Sequence, residues 1–242
     1  MKLTPALSVV TVVMNDLEAL KVTVDSVSRL GRKDLEYIIV DGGSTDGTLE
    51  YARSLSLSNF KMVSDPDDGI FDAFNKGISL ASGVWIHLLN AGDIYDSNNV
   101  FDRVDFSVDK SFLCFAVLKL GQKRGDFLWS PKTVYNGAWV DLAHPGLIVR
   151  KDYYLSNSTY QTRFKYVSDS HFIFHNVLPE ESEIYDITLV QMQGGGYSTK
   201  WRFRHELEKQ LLFLSLNISV FSRLKLHLKY LIAGALKLMF KE

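Results

Sequence analysis

A single cysteine, Cys114, stands in the whole chain of 242 residues, so no intrachain disulfide can form. That fits a reducing compartment. Flanked by Leu113 and Phe115, Cys114 reads as a small buried packing residue. Long apolar runs are lacking as well. No uncharged stretch approaches the ~20 residues that cross a bilayer. The opening MKLTPALSVV carries one Lys and soon turns polar at Asn15-Asp16, unlike a secretory signal. The expected location is therefore cytoplasmic. Net charge is almost absent: 27 Lys+Arg against 28 Asp+Glu leave −1, which argues against nucleic acid as the main partner. No internal repeat occurs. No G-x-G-x-x-G follows the first apolar segment, which argues against a dinucleotide oxidoreductase. A glycine-rich, basic triphosphate loop is missing too, which argues against a nucleotidyltransferase.

What is present is ordinary globular composition, 46% hydrophobic and 23% charged, at a length that suits one large domain or one domain with an appendage. The charge is unevenly placed. Residues 200–242 hold nine Lys/Arg against three Asp/Glu, about +6, which leaves the body at about −7. If residues 223–241 are helical, Leu224, Leu228, Leu231, Ile232, Ala235, Leu238 and Met239 share about one third of the circumference. Arg223, Lys225, His227, Lys229, Lys237 and Lys241 fall outside that stripe. Two readings stay open: the stripe packs on the body or a partner chain, or it lies in an anionic membrane surface.

Residues 7–13 (LSVVTVV) predict a buried strand, and Leu17, Leu20, Val24, Val27 and Leu30 recur at helical spacing. Strands are predicted at 36–40, 60–63 and 84–89, with helices opening after GGSTDGT and along Ile70, Phe71, Phe74, Ile78 and Ala81. This alternation argues for a parallel, doubly wound sheet, which binds ligands beyond the carboxyl ends of its strands. Polar clusters sit at those ends: Asn15-Asp16, Asp41-Gly42-Gly43 and Asn90-Ala91-Gly92-Asp93. Beyond residue 105 the pattern loosens. Strands are expected at 112–119 and 126–135 around a GQKRGD turn and at 145–150, a helix at 169–177, a flexible polar loop at 191–199, and helix after Lys200.

Asp41 ends a strand and precedes two glycines, which permit a sharp turn and close ligand approach. Its carboxylate can accept from a base or ribose. The plainer reading is a helix cap, for which Ser44 and Asp46 also qualify. In DPDDGIFDAFNKG, residues 65–77, a helix starting near Gly69 would aim its first amides where a phosphate sits, and Lys76 can add a point charge. In NAGD, residues 90–93, the carboxylate at the strand end can hold a hard divalent ion against a diphosphate.

Together the strand–Asn15-Asp16–helix unit, VDGGSTDGT, DGIFDAFNKGISLASGVWIHLLNAGD and the later His144, Asp169 and GGGYS segments resemble family 2 inverting glycosyltransferases of the GT-A fold. The likeness is closest to the branch that builds bacterial exopolysaccharides, including colanic-acid-type enzymes. It is strong over residues 7–100 and looser to about 200. The resemblance implies an α/β, GT-A type doubly wound, mostly parallel sheet with a C-terminal helical appendage. It implies a glycosyltransferase domain over 1–199, with a donor half to about 104 and an acceptor half after it, and basic amphipathic helices over 200–242. Asn15, Asp41, Asp68 and Lys76 would line the donor site. Asp93 and His144 would meet Mn²⁺ or Mg²⁺. Asp169 would be the catalytic base, with His171 the neighbouring alternative. Residues 193–199 would form a glycine loop near the acceptor, and Trp129, Trp139 and Trp201 are candidates for sugar stacking or, more plainly, core residues. The implied partners are a nucleotide-sugar donor, UDP-linked first, a lipid-linked saccharide acceptor, the inner face of the plasma membrane, and a second copy as a possible homodimer. One departure stands out: where the family commonly has D-x-D-D, this chain has Asn90-Ala91-Gly92-Asp93. It motivates an alternative reading, a non-catalytic nucleotide-sugar-binding scaffold of the same fold.

Overall fold

The structure, a computed structural model, describes residues 4–121, 125–132, 134–135, 138–139, 141–157, 159–193, 204–205, 207–209 and 212. The side chain of Trp139, the glycine loop from residue 194, Trp201 and the amphipathic stretch 223–241 lie outside the described residues.

The chain begins with β1 (Leu7–Val13), α1 (Leu17–Ser28), β2 (Leu35–Asp41), α2 (Thr48–Ser54), β3 (Phe60–Ser64), α3 (Ile70–Leu80) and β4 (Trp85–Leu88). It continues with β5 (Ile94–Tyr95), β6 (Phe112–Lys119), β7 (Phe127–Trp129), β8 (Val134–Tyr135) and β9 (Ala138–Trp139). A 3₁₀ turn (His144–Gly146) then leads into β10 (Leu147–Arg150), α4 (Lys151–Ser156), α5 (Ser168–Asn176) and β11 (Ser182–Met192). The main sheet runs β3-β2-β1-β4-β10-β6-β11-β5, with β7 on β6. β1 through β4 are mutually parallel. β10 runs antiparallel between β4 and β6, while β6 and β11 are parallel to each other. The expected α/β, mostly parallel architecture is what forms, with one reversed strand in its middle.

The central parallel strands β1, β2 and β4 are buried on both faces, so they read as mainly apolar runs rather than alternating ones. All seven residues of β1 are buried. Leu7, Val9 and Val13 join the core under α1, with Leu20, Val24, Trp85 and Phe101. Val10 and Val12 join the opposite core, with Phe74, Ile78, Phe112 and Phe172. Period-two alternation along the strand thus feeds two layers. α3 lies close on β1: a Cβ at Gly77 would fall 2.2 Å from Val10 Cγ1. That contact fixes where the N-terminus of α3 meets the strand ends. Cys114 is fully buried in the second core, and burial pushes its thiol up to about 12, as a packing residue requires.

At the opposite end of the sheet Glu36 on β2 is a buried ionic tie. Ser8 Oγ (2.5 Å), Ser82 N (2.7 Å), Ser82 Oγ (2.6 Å) and Lys61 Nζ (2.6 Å) all donate to its carboxylate. Burial pushes that carboxyl up, but the hydrogen bonds outweigh it and hold it below the usual value. The parallel half is therefore anchored at the end away from the ligand-binding edge.

Two sequence expectations shift. β11 extends through Gln191 and Met192, which the sequence assigns to a loop. The strand predicted across 126–135 is two short strands, β7 and β8. Among the described residues no helix is long and apolar enough to cross a membrane. Residues 204–205, 207–209 and 212 are helical, in line with the helix expected after Lys200.

Candidate active site

Four loops gather at the carboxyl ends of the parallel strands, and their polar residues hold one another. Asn15 adopts φ = 51°, a left-handed conformation that Asn tolerates. There its amide donates to Ser44 Oγ (2.8 Å) and its Oδ1 accepts from Thr45 N (2.8 Å). Asp16 caps α1 by accepting from Ala19 N (3.2 Å). Asp46 accepts from Thr48 N (3.1 Å) and from Leu17 N (3.3 Å), so the second loop also grips the first. Asp41 is 0% exposed. It accepts from Gly43 N (3.2 Å), Ser44 N (3.1 Å) and Ser64 Oγ (2.6 Å). A carboxylate offers about four lone-pair sites. Asp41 therefore shapes the loop first, with little capacity left for a base.

The 65–69 loop closes over Gly42, where a Cβ would stand 2.5 Å from Asp67 Oδ2. A side chain at this position would push the Asp67 carboxylate aside. Asp67 Oδ1 accepts from Gly69 N (2.9 Å), and Gly69 turns the chain into α3 at φ = 116°. Lys76 ties the loop from within. Its Nζ reaches Asp65 Oδ2 (2.9 Å), Pro66 O (2.8 Å) and Asp72 Oδ2 (3.3 Å). These hydrogen bonds raise its pKa. The structure thus gives Lys76 the part of a cross-tie, not of an unengaged charge facing a phosphate. Asp68 is exposed at the head of α3, with its amide on Asp72 Oδ2 (3.2 Å).

The NAGD turn is latched by α1. Thr23 Oγ1 donates to Asp93 O (2.8 Å) and accepts from Gly92 N (2.9 Å). Asp93 is 5% exposed, and burial pushes its carboxyl up to about 7 against the pull of Asn90, the Gln193 amide and Lys119. Beside it, Asn90 Oδ1 is buried with no hydrogen-bond partner among the described residues. A reluctant carboxylate next to an orphaned amide oxygen is a donor set that suits a hard cation, which would favour the ionised form of Asp93. Among the described residues no group of three or more His, Cys, Asp or Glu forms a metal cluster. Other ligands would have to be diphosphate oxygens and water.

His144 is held by aromatic partners. It stacks on Phe74 (5.2 Å between centroids, 29°), and its Nε2 meets Tyr160 Oη at 3.2 Å. Burial, with His87 nearby, lowers its pKa to about 3, so the ring is neutral. Among the described residues it has no hydrogen bond to Asp93. The two residues expected to share a metal are thus not hydrogen-bonded to each other among the described residues.

His144 belongs to an aromatic network whose Tyr160 lies near Asp169. Tyr160 Oη also meets Tyr154 Oη (3.3 Å). Reciprocal bonds with Asn75, Asn75 Nδ2 to Tyr160 O (2.8 Å) and Tyr160 N to Asn75 Oδ1 (3.0 Å), fix Tyr160 against α3. Asp169 stands in the first turn of α5, half-buried and close enough to Tyr160 for their charges to interact. Burial raises its pKa to about 6, opposed by the Ser170 amide (2.7 Å) and the Lys209 charge. A carboxyl poised there can take a proton near neutral pH. His171 is less suited: burial, with His175 and Arg163 adjacent, takes its pKa to about 4.

His87, Thr23 and Tyr160 carry structure that the sequence reading does not single out. His87 is fully buried on β4, with Nε2 at 2.9 Å from Pro145 O and Nδ1 at 2.8 Å from Tyr95 Oη. A carbonyl only accepts, so Nε2 carries the proton and Nδ1 accepts from the tyrosine. The bond to Pro145 pins the His144 turn to the sheet. A lone imidazole inside VWIHLL was the available signal. Trp129 lies at the edge, with Lys119 Nζ 5.6 Å from its ring centroid.

Comparison with known proteins fits this geometry. A PGL/p-HBAD biosynthesis glycosyltransferase of Mycobacterium bovis (strain BCG / Pasteur 1173P2) is 34% identical over 100 residues, 40% of this chain and 39% of that one. The match thus spans well under half of that relative's length. The chondroitin synthase of Pasteurella multocida (strain Pm70) is 32% identical over 113 residues, 46% of this chain and 12% of that one. Staphylococcus aureus TarS 1–349 in complex with UDP-GlcNAc superposes with a TM-score of 0.65 at 15% identity, over 90% of this chain and 69% of that one. The mannosyltransferase PcManGT of Pyrobaculum calidifontis, in complex with GDP-Man and Mn²⁺, gives 0.61 at 15% identity, over 88% and 64%. At such identities the structural likeness is one of fold. The sequence match to the family profile runs over residues 8–178, from β1 through α5, the stretch that carries all four loops and Asp169, and by it the chain belongs to glycosyl transferase family 2.

Proposed function

We propose that the chain is a metal-dependent, inverting glycosyltransferase that moves a sugar from a nucleotide sugar, UDP-linked first, to a hydroxyl of a lipid-linked saccharide in bacterial surface-polysaccharide synthesis. The observation that carries the reading is Asp169: a half-buried carboxyl at a helix start, with its pKa raised to about 6. The acceptor oxygen attacks the anomeric carbon from the face opposite the diphosphate. Its bond to carbon forms as the carbon–diphosphate bond breaks, and its proton passes to an Asp169 oxygen. The transition state is oxocarbenium-like, as in glycoside hydrolysis. Asn15, Asp41 and Asp68 shape the donor side, and Lys76 holds the loop that roofs it. Asp93, with Asn90 Oδ1, would hold Mn²⁺ or Mg²⁺, which supplies charge neutralisation to the departing diphosphate. The solved relatives bound to UDP-GlcNAc and to GDP-Man with Mn²⁺ support a nucleotide-sugar donor and a divalent ion. The basic stripe over 223–241 supports an anionic membrane surface as the place of work.

Thermal stability with a panel of nucleoside diphosphates tests the donor side, because a ligand of the folded state raises apparent stability by mass action. UDP with Mn²⁺ is expected to raise the midpoint by several degrees, and UDP with EDTA by much less. No shift with any nucleotide would overturn both this reading and the nucleotide-sugar-binding scaffold that Asn90 motivates.

A further inference from the structure

The segment that leads to Asp169 is held from outside the family match. α5 starts without a side-chain cap, since its N-cap residue is Val167. The two amides just before that residue belong to the C-terminal segment instead: Lys165 N donates to Glu208 Oε1 (2.9 Å) and Tyr166 N to Glu208 Oε2 (2.7 Å). A carboxylate that receives one amide on each oxygen makes charge-assisted bonds, stronger and more directional than neutral ones. Glu208 lies 30 residues past the end of the matched stretch at residue 178. Leu212, four residues on, is 0% exposed. Lys209, next to Glu208, is the positive charge that acts on Asp169. On its other side the same loop reaches the donor-side turn, where Lys165 Nζ donates to Asp68 O. Residues 160–167 therefore run between two anchors, Asn75 at Tyr160 and Glu208 at Lys165-Tyr166, and Asp169 follows the second by three residues.

We propose that Glu208 is a positioning residue of the transfer site: by holding the Lys165 and Tyr166 amides it sets where α5 begins, and so where the Asp169 carboxylate meets the acceptor hydroxyl. This rests on the reading of Asp169 as the acceptor base. The C-terminal segment is then part of the catalytic body, and a chain cut before it would bind donor yet transfer poorly.

The test compares wild type, Glu208→Gln and Glu208→Ala in the full chain by amide hydrogen exchange and steady-state kinetics with UDP-sugars. In Glu208→Ala the amides of residues 165 and 166 should exchange faster. Its kcat should fall about tenfold, the scale of a small misplacement of a reacting group, while the donor KM stays within about twofold. Glu208→Gln should fall between, because its amide oxygen can accept only one side of the pair. Faster exchange with an unchanged kcat would overturn the proposal, as would unchanged exchange. A parallel loss of donor affinity and of thermal midpoint would make Glu208 a fold residue and overturn it equally. A wild-type chain that turns over no nucleotide sugar would bring down the functional reading and the proposal with it; in that case Glu208→Ala still reports in the exchange arm whether the clamp exists.

Discussion

Asp169→Asn should retain nucleotide binding and lose transfer by about 10³-fold in kcat, the middle of the range for a positioned acid or base. The substitution keeps size and the hydrogen bond from the Ser170 amide, so α5 should still form. What it removes is the group that takes the acceptor proton. The pH profile gives a second readout. Burial sets the carboxyl at about 6, with the Lys209 charge opposing. Below that pH it is protonated and cannot act as a base, so wild-type kcat should fall as pH drops through 6, and the residual rate of Asp169→Asn should not show that limb. Full activity in the variant would refute the assignment, and steady-state kinetics in saturating donor decide it.

The second large effect is expected at Asp93. Asp93→Asn leaves the turn latched, because Thr23 binds the backbone of this residue and not its carboxylate. It takes away the one carboxylate in NAGD. The concentration of Mn²⁺ that half-saturates activity should rise at least about tenfold, and kcat at fixed metal should drop about 100-fold, several kcal/mol of lost charge stabilisation. Asn90→Asp should move the metal requirement the other way, since it replaces an orphaned amide oxygen with a second anionic ligand. Manganese titration of the three proteins checks this. Equal metal dependence in all three would place the ion elsewhere.

The parts legible in the sequence are those whose cause is local. β1, β2 and β4 are buried on both faces, so LSVVTVV, LEYIIVD and WIHL announce themselves as apolar runs. α5 begins one residue before its predicted start, and Asp169 falls in its first turn as expected. The direction of β10 was not legible, because a four-residue strand carries no mark of which neighbours it joins. β11 was missed for another reason. Its middle residues are only partly buried at the sheet edge and pass through register shifts near Thr188, so no clean period shows.

In the site, residue types were legible but their partners were not. Asp41 and Lys76 were singled out as ligand contacts. The structure ties Asp41 to Ser64 and Lys76 to Asp65, across 23 and 11 residues of chain. A histidine in AHPG gives no sign in the sequence that Phe74 and Tyr160 receive it. His87 was available to a reader who asked why an imidazole interrupts an apolar strand. Glu208 was not, since its function depends on two backbone amides more than forty residues away.

The most direct measurement is release of UDP from a panel of UDP-sugars by the purified full chain, with a saccharide acceptor, in Mn²⁺ and in EDTA. Acceptor-dependent release that needs the metal and vanishes in Asp169→Asn is the predicted result. Binding of UDP with no acceptor-dependent release from any UDP- or GDP-sugar would contradict a transferase and leave the fold serving as a nucleotide-sugar scaffold.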